Sequence, residues 1–98
     1  MKNLALEREL PDASPDTFKL YAMEEARKAW ELYQAGLIRE LFFRADQSTA
    51  VLVLECASTE QAESILAEFT FVREGLIVFD LIPLKAYPGF ARLFKDAT

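Results

Sequence analysis

The chain has 98 residues, a formal net charge of −5, 52% apolar residues, no histidine and one cysteine, Cys56. An acidic chain without clustered Lys and Arg offers phosphates nothing to bind, which argues against nucleic acid. Without His the commonest general base is missing, and with a lone Cys there is neither an internal disulfide nor a cysteine cluster for zinc, so no metal and no cofactor is expected.

No apolar run approaches the roughly twenty residues of a membrane span. The charged start, Met1 to Glu9, does not suit a signal peptide, so a cytoplasmic chain without a membrane partner is expected. A single domain of this size buries only about two-thirds of its unfolded surface. Eight Phe, three Tyr and one Trp are many for such a domain to hide alone, and the excess is expected between subunits.

Taken in chain order, Asn3 to Leu10 sets Leu4, Leu6 and Leu10 against Ala5, Glu7 and Glu9 and ends at Pro11, which predicts a first strand. Ser14 followed by Pro15 and Asp16 is a helix start, and the helix should run to Ala35 with Gly36 as its left-handed stop. Phe18, Ala22, Ala26, Ala29, Trp30 and Tyr33 recur at helical spacing and predict its buried stripe, with Glu24 and Lys28 paired outside.

Leu37 to Ala45 and Thr49 to Cys56 are strand-like and joined by Asp46-Gln47-Ser48, a hairpin. A three-residue turn would set Arg39 opposite Glu55, whereas a shift by one would oppose Glu40 and Glu55, so charge favours the first register. Ser58 and Gln61 have the spacing of a capping box that opens a second helix, with Ala62, Ile65, Leu66 and Phe69 inward. Phe71 to Glu74 reads as a connector. Gly75 to Pro83 is a strand apolar at both parities except for Asp80, and so must be covered on both faces. Tyr87-Pro88-Gly89 then breaks the chain before an apolar tail, Phe90, Leu93 and Phe94.

The order strand, helix, strand, strand, helix, strand is the ferredoxin-like split unit: a single α+β domain over residues 1–98, with a four-stranded antiparallel sheet and both helices on one face. The other face is too apolar for water. Two copies packed sheet to sheet would form a dimeric α+β barrel, and a homodimer or higher homo-oligomer through the sheet face and the C-terminal segment is expected.

From Ala26 onward the chain resembles the muconolactone isomerase family of small dimeric α+β-barrel proteins. The resemblance lies in Glu31-Leu32-Tyr33-Gln34-Ala35-Gly36-Leu37-Ile38-Arg39, in Glu55-Cys56-Ala57-Ser58-Thr59-Glu60-Gln61-Ala62, and in Asp80-Leu81-Ile82-Pro83-Leu84 followed by Tyr87-Pro88. It implies the fold. Family isomerases carry a His where Tyr87 stands and another in the first strand, neither present here, so the resemblance supplies no catalytic residue. Where they tend to have a Leu-Pro turn after the second helix, this chain has Phe69-Thr70-Phe71, and the longer connector from Val72 to Gly75 should reshape one mouth of the barrel.

Two functions fit. The first is a small-molecule-binding dimer that uses the pocket between sheet and helices. The second is a cofactor-free isomerase or lyase moving a proton on a small lactone or enol acid, with Asp80 and Glu7 as the carboxylates if they share a face. The absence of His weakens a third, heme or oxygen chemistry. Against the catalytic role, Asp80 would simply be a carboxylate at a sheet edge or one paired with an Arg. Arg39 is the candidate fork for a substrate carboxylate, with Glu55 beside it, and the bland alternative is a cross-strand ion pair between them. Tyr87 could donate to a carbonyl or pack at an interface. Trp30 and Tyr33 read as core, and Cys56 as an inert buried thiol.

Overall fold

The computed structural model describes residues 1–94. Among them the chain forms β1 (Lys2–Glu9), α1 (Pro15–Gln34), β2 (Ile38–Phe43), β3 (Ala50–Glu55), α2 (Thr59–Leu66), α3 (Thr70–Arg73), β4 (Ile77–Leu84) and a 3-10 turn, Gly89–Leu93. The strands make one antiparallel sheet in the order β2-β3-β1-β4. This is the ferredoxin-like α+β arrangement expected from the element order. Among the described residues no helix is long and apolar enough to cross a membrane.

Local chemistry explains the boundaries. The Ser14 hydroxyl accepts from the Thr17 amide at 3.3 Å, with Pro15 opening α1, and Gly36 at φ +80° turns the chain out of it. At α2 the capping box is reciprocal: Gln61 N–H donates to Ser58 Oγ at 3.1 Å, and Gln61 Oε1 accepts from the Ala57 amide at 2.6 Å. Gly75, at φ +72°, makes the corner into β4. Pro83 is tolerated because β4 is an edge strand.

The face toward the helices carries the core. Ala5, Ala50, Leu52, Leu54 and Ile77 from the sheet are buried with Leu32, Ala62, Ile65, Leu66 and Phe69. Strand pairing places Leu4, Leu6, Val51, Val53, Val78 and Ile82 on the opposite face, with Phe42 at its border.

Four expectations are corrected. The hairpin closes at Arg44, whose amide donates to Thr49 O at 2.9 Å, so its loop is 45–48. The Arg44 guanidinium holds Asp46 within that loop, with Nε at 2.9 Å from Oδ1. The register then shifts between Ile38 and Glu40, leaving Arg39 in a bulge. Arg39 is therefore not opposite Glu55. The bulge puts Ile38 on the same sheet face as Leu41 and Phe43, and burying Ile38, which is 1% exposed, outweighs one exposed ion pair.

Along α1 only Leu32 is fully buried, while Trp30 and Tyr33 are 57% and 51% exposed and stack on each other at 6.0 Å. Lys28 reaches Glu68 at 2.7 Å and Glu31 at 3.9 Å instead of Glu24, because the turn after α2 brings Glu68 alongside α1. The connector after α2 is itself helical over Thr70–Arg73.

Candidate functional site

The alanines of α1 create the site. Ala22, Ala26 and Ala29 face the sheet at helical spacing, and their methyl groups do not reach across to it. A cleft of about 320 Å³ remains between α1, α3 and the sheet. Its walls are apolar: Leu41 and Phe43 from β2, Ala50 and Leu52 from β3, Phe79 from β4, and Phe69 and Phe71 from the α2–α3 corner. The rings brace one another, Phe69 against Phe79 at 5.7 Å and Phe71 edge-on to Phe18 at 5.0 Å.

Two carboxylates line this apolar space, Glu7 of β1 and Glu25 of α1. Both tie backbone donors. Glu7 Oε1 accepts from the Ala50 amide at 3.3 Å, and Glu25 Oε1 from the Phe71 amide at 3.1 Å. Burial pushes the Glu7 carboxyl above its ordinary range, with Ala50 pulling it back and Glu9 adding to the rise. Burial does the same to Glu25, opposed by the amides of Phe71 and Thr70, reinforced by the charge of Glu7 and relieved by Arg73. The charge of Glu7 thus reaches Glu25. A proton held on one carboxyl while the other is ionised would give the cleft both a donor and an acceptor.

Of the residues singled out in the sequence, the structure brings Glu7 to this cleft and sends the others elsewhere. Asp80 sits opposite Leu6 in the β1/β4 ladder, so it lies on the face away from Glu7. Arg8 Nε and Nη2 donate to its two oxygens at 3.2 and 3.3 Å, and the Asp80 side chain is 55% exposed. The alternation of side chains along β1 is the physical reason Glu7 and Asp80 do not share a face. Glu55 also lies on that outer face, 3.8 Å from the chain's first amino group. Arg39 Nε donates to Gly36 O at 2.7 Å, and the residue borders a shallow depression with Trp30, Tyr33 and Phe42. Tyr87 packs edge-on against Phe90 at 4.9 Å and over Gly89, where a Cβ would stand 2.2 Å from the ring. Cys56 is buried, and burial pushes its thiol up.

Glu25 is the residue the sequence reading passed over. It stands beside Glu24 on a charged helix, yet it falls three residues after Ala22 and four before Ala29, the one spacing that could have set it on the inward stripe. Its role depends on α3, which places the Phe71 amide beside it. Among the described residues no group of three acidic or sulfur side chains gathers as a metal cage.

No protein-family model matches the chain, and no curated protein matches it. A solved structure does. The 5-chloro-2-hydroxyhydroquinone dehydrochlorinase TftG of Burkholderia phenoliruptrix AC1100, in complex with 2,5-dihydroxybenzoquinone, aligns with a TM-score of 0.69 over 91% of this chain and 98% of that one, at 15% sequence identity. At that identity the likeness is one of architecture, and the chain shares the ferredoxin-like α+β fold of that enzyme.

Proposed function

We propose that the chain binds a small organic molecule in the cleft between α1, α3 and the sheet, as a cytoplasmic homodimer of the muconolactone isomerase type. One observation carries the reading: an apolar cleft of about 320 Å³ with two inward carboxylates, the size and lining of a ligand site. The fold shared with a dehydrochlorinase solved with a quinone supports it. The test is a nuclear magnetic resonance titration with phenol and indole. Millimolar probe should shift the methyl signals of Ala22, Ala26 and Leu52, and unmoved signals with both probes would refute the cleft as a site.

The surface supports the dimer. Leu4, Leu6, Val51, Val53 and Ile82 form an apolar outer sheet face, and Phe90 and Phe94 in the tail are 66% and 84% exposed. The radius of gyration, 16.6 Å, exceeds the about 13 Å of a compact domain of this length. A second copy placed on this face would bury both features. Light scattering should give twice the chain mass or more, and Leu6→Lys should shift it toward the monomer. A parent protein that is monomeric at micromolar concentration would contradict the assembly.

A second reading, proton transfer on a small unsaturated lactone, is favoured by the facing carboxylates. Glu7 would act as base and Glu25 as acid, in place of Asp80. Glu7→Gln and Glu25→Gln must each abolish double-bond migration in a butenolide, and turnover that survives in both removes this reading.

A further inference from the structure

The lining of the cleft also sets the charge of what it takes. Among the described residues, Glu7 and Glu25 are the only side chains lining it that carry charge or form hydrogen bonds. The amides of Ala50 and Phe71 are already engaged by these two carboxylates. The cleft therefore offers acceptors and aromatic surface, and none of its side chains is a cation.

We propose that this cleft is a site for an organic ammonium: a primary or secondary amine on an apolar body about the size of one aromatic ring, its N–H groups donating to Glu7 and Glu25 and its charge lying against the rings of Phe43, Phe71 and Phe79. This rests on the small-molecule reading and specifies its ligand. Oε1 of each carboxylate accepts from a backbone amide, with the Thr70 amide also acting on Glu25, which fixes both groups and leaves their remaining lone pairs for the ligand. An ammonium group would offset one negative charge in a space where two carboxyl groups share apolar walls, and the phenyl faces add their attraction for a cation. A ligand carboxylate placed in the same space meets two carboxylates and no cationic side chain, and its burial is uncompensated. A neutral alcohol donates one hydrogen bond and compensates no charge. Arg73 acts on Glu25, but it does not line the cleft, and Glu9 adds negative charge on the Glu7 side.

Three probes of one shape separate the possibilities: benzylamine, benzyl alcohol and benzoate, titrated at neutral pH into the full chain by calorimetry. Benzylamine is expected to bind at least about tenfold tighter than benzyl alcohol, the difference made by charge-assisted hydrogen bonds, with benzoate not binding. Glu7→Gln and Glu25→Gln should each weaken benzylamine by about tenfold and benzyl alcohol by much less, because the Gln oxygen still accepts the alcohol's hydrogen bond, and a cooperative thermal unfolding transition reports that each variant is folded. Equal affinity for amine and alcohol, a preference for benzoate, or benzylamine binding indifferent to both variants overturns the ammonium assignment alone. If none of the three binds, the cleft reading itself fails with it.

Discussion

The two longer helices lie on the same sheet with opposite results. Over its eight residues α2 buries Ala62, Ile65 and Leu66, whereas α1, twenty residues long, fully buries only Leu32. The difference is side-chain reach. Branched residues on α2 cross the gap to the sheet and close it, while the alanines of α1 stop short and leave a cleft with Glu7 and Glu25 in its walls. A layer closed by Ile and Leu supplies stability, and a layer of alanine supplies space.

The sharpest way to break this contrast is to truncate the closed side. Leu66→Ala removes buried methyl groups from a filled layer and should cost about 2–5 kcal/mol, read as a fall in the denaturant midpoint. A loss under about 1 kcal/mol would mean that the α2 side is as loosely packed as the α1 side. The reverse change on α1 should behave differently. Ala26→Leu places its added carbons in the cleft, so its stability cost should fall below the about 1–3 kcal/mol of overpacking a closed core. Binding of benzyl alcohol and benzylamine should be lost. Binding that persists would place the ligand elsewhere, and severe destabilisation would show that the cleft is filled in solution.

The same contrast explains what could be read in the sequence. The caps at Ser14 and Ser58, the stop at Gly36 and the strand-helix order rest on neighbours within four residues, and they emerge as expected. The parity of β4, with Ile77, Phe79 and Leu81 apart from Val78, Asp80 and Ile82, was legible for the same reason. The site was not. Periodicity puts Trp30 and Tyr33 on one apolar stripe of α1 with Ala22, Ala26 and Ala29, but only the fold shows that the two aromatics stand outward while the alanines line a cleft. Alternation along β1 separates Glu7 from Leu6, yet cannot say which of them faces the helices. The Arg39 bulge lets Ile38 enter the core while Leu41 and Phe43 line the cleft on the same face, and charge matching between Arg39 and Glu55 could not anticipate it. Glu25 joins the site only through α3, a helix of four residues too short to announce itself by propensity.

The smallest expected effect tests whether the two cleft carboxylates are held where their environment implies. Both have folded pKa values raised above the ordinary 4.5, chiefly by burial. The folded chain therefore binds these protons more tightly than the unfolded chain does. The stability this gives is fully present below the unfolded value and is lost as pH rises through the folded values. Glu7→Gln and Glu25→Gln keep an oxygen for the Ala50 and Phe71 amides but remove the ionisation. Compared with the parent, each variant should lose less thermal stability between pH 4.5 and neutrality, and because the charge of Glu7 helps raise Glu25, either substitution should also shrink the pH response of the other. Exposed pairs such as Arg44 with Asp46 are unchanged in all these proteins and cancel from the difference. A variant whose midpoint tracks the parent across that range would mean that water reaches the carboxylate freely, and the cleft would then be an open groove and not an apolar site.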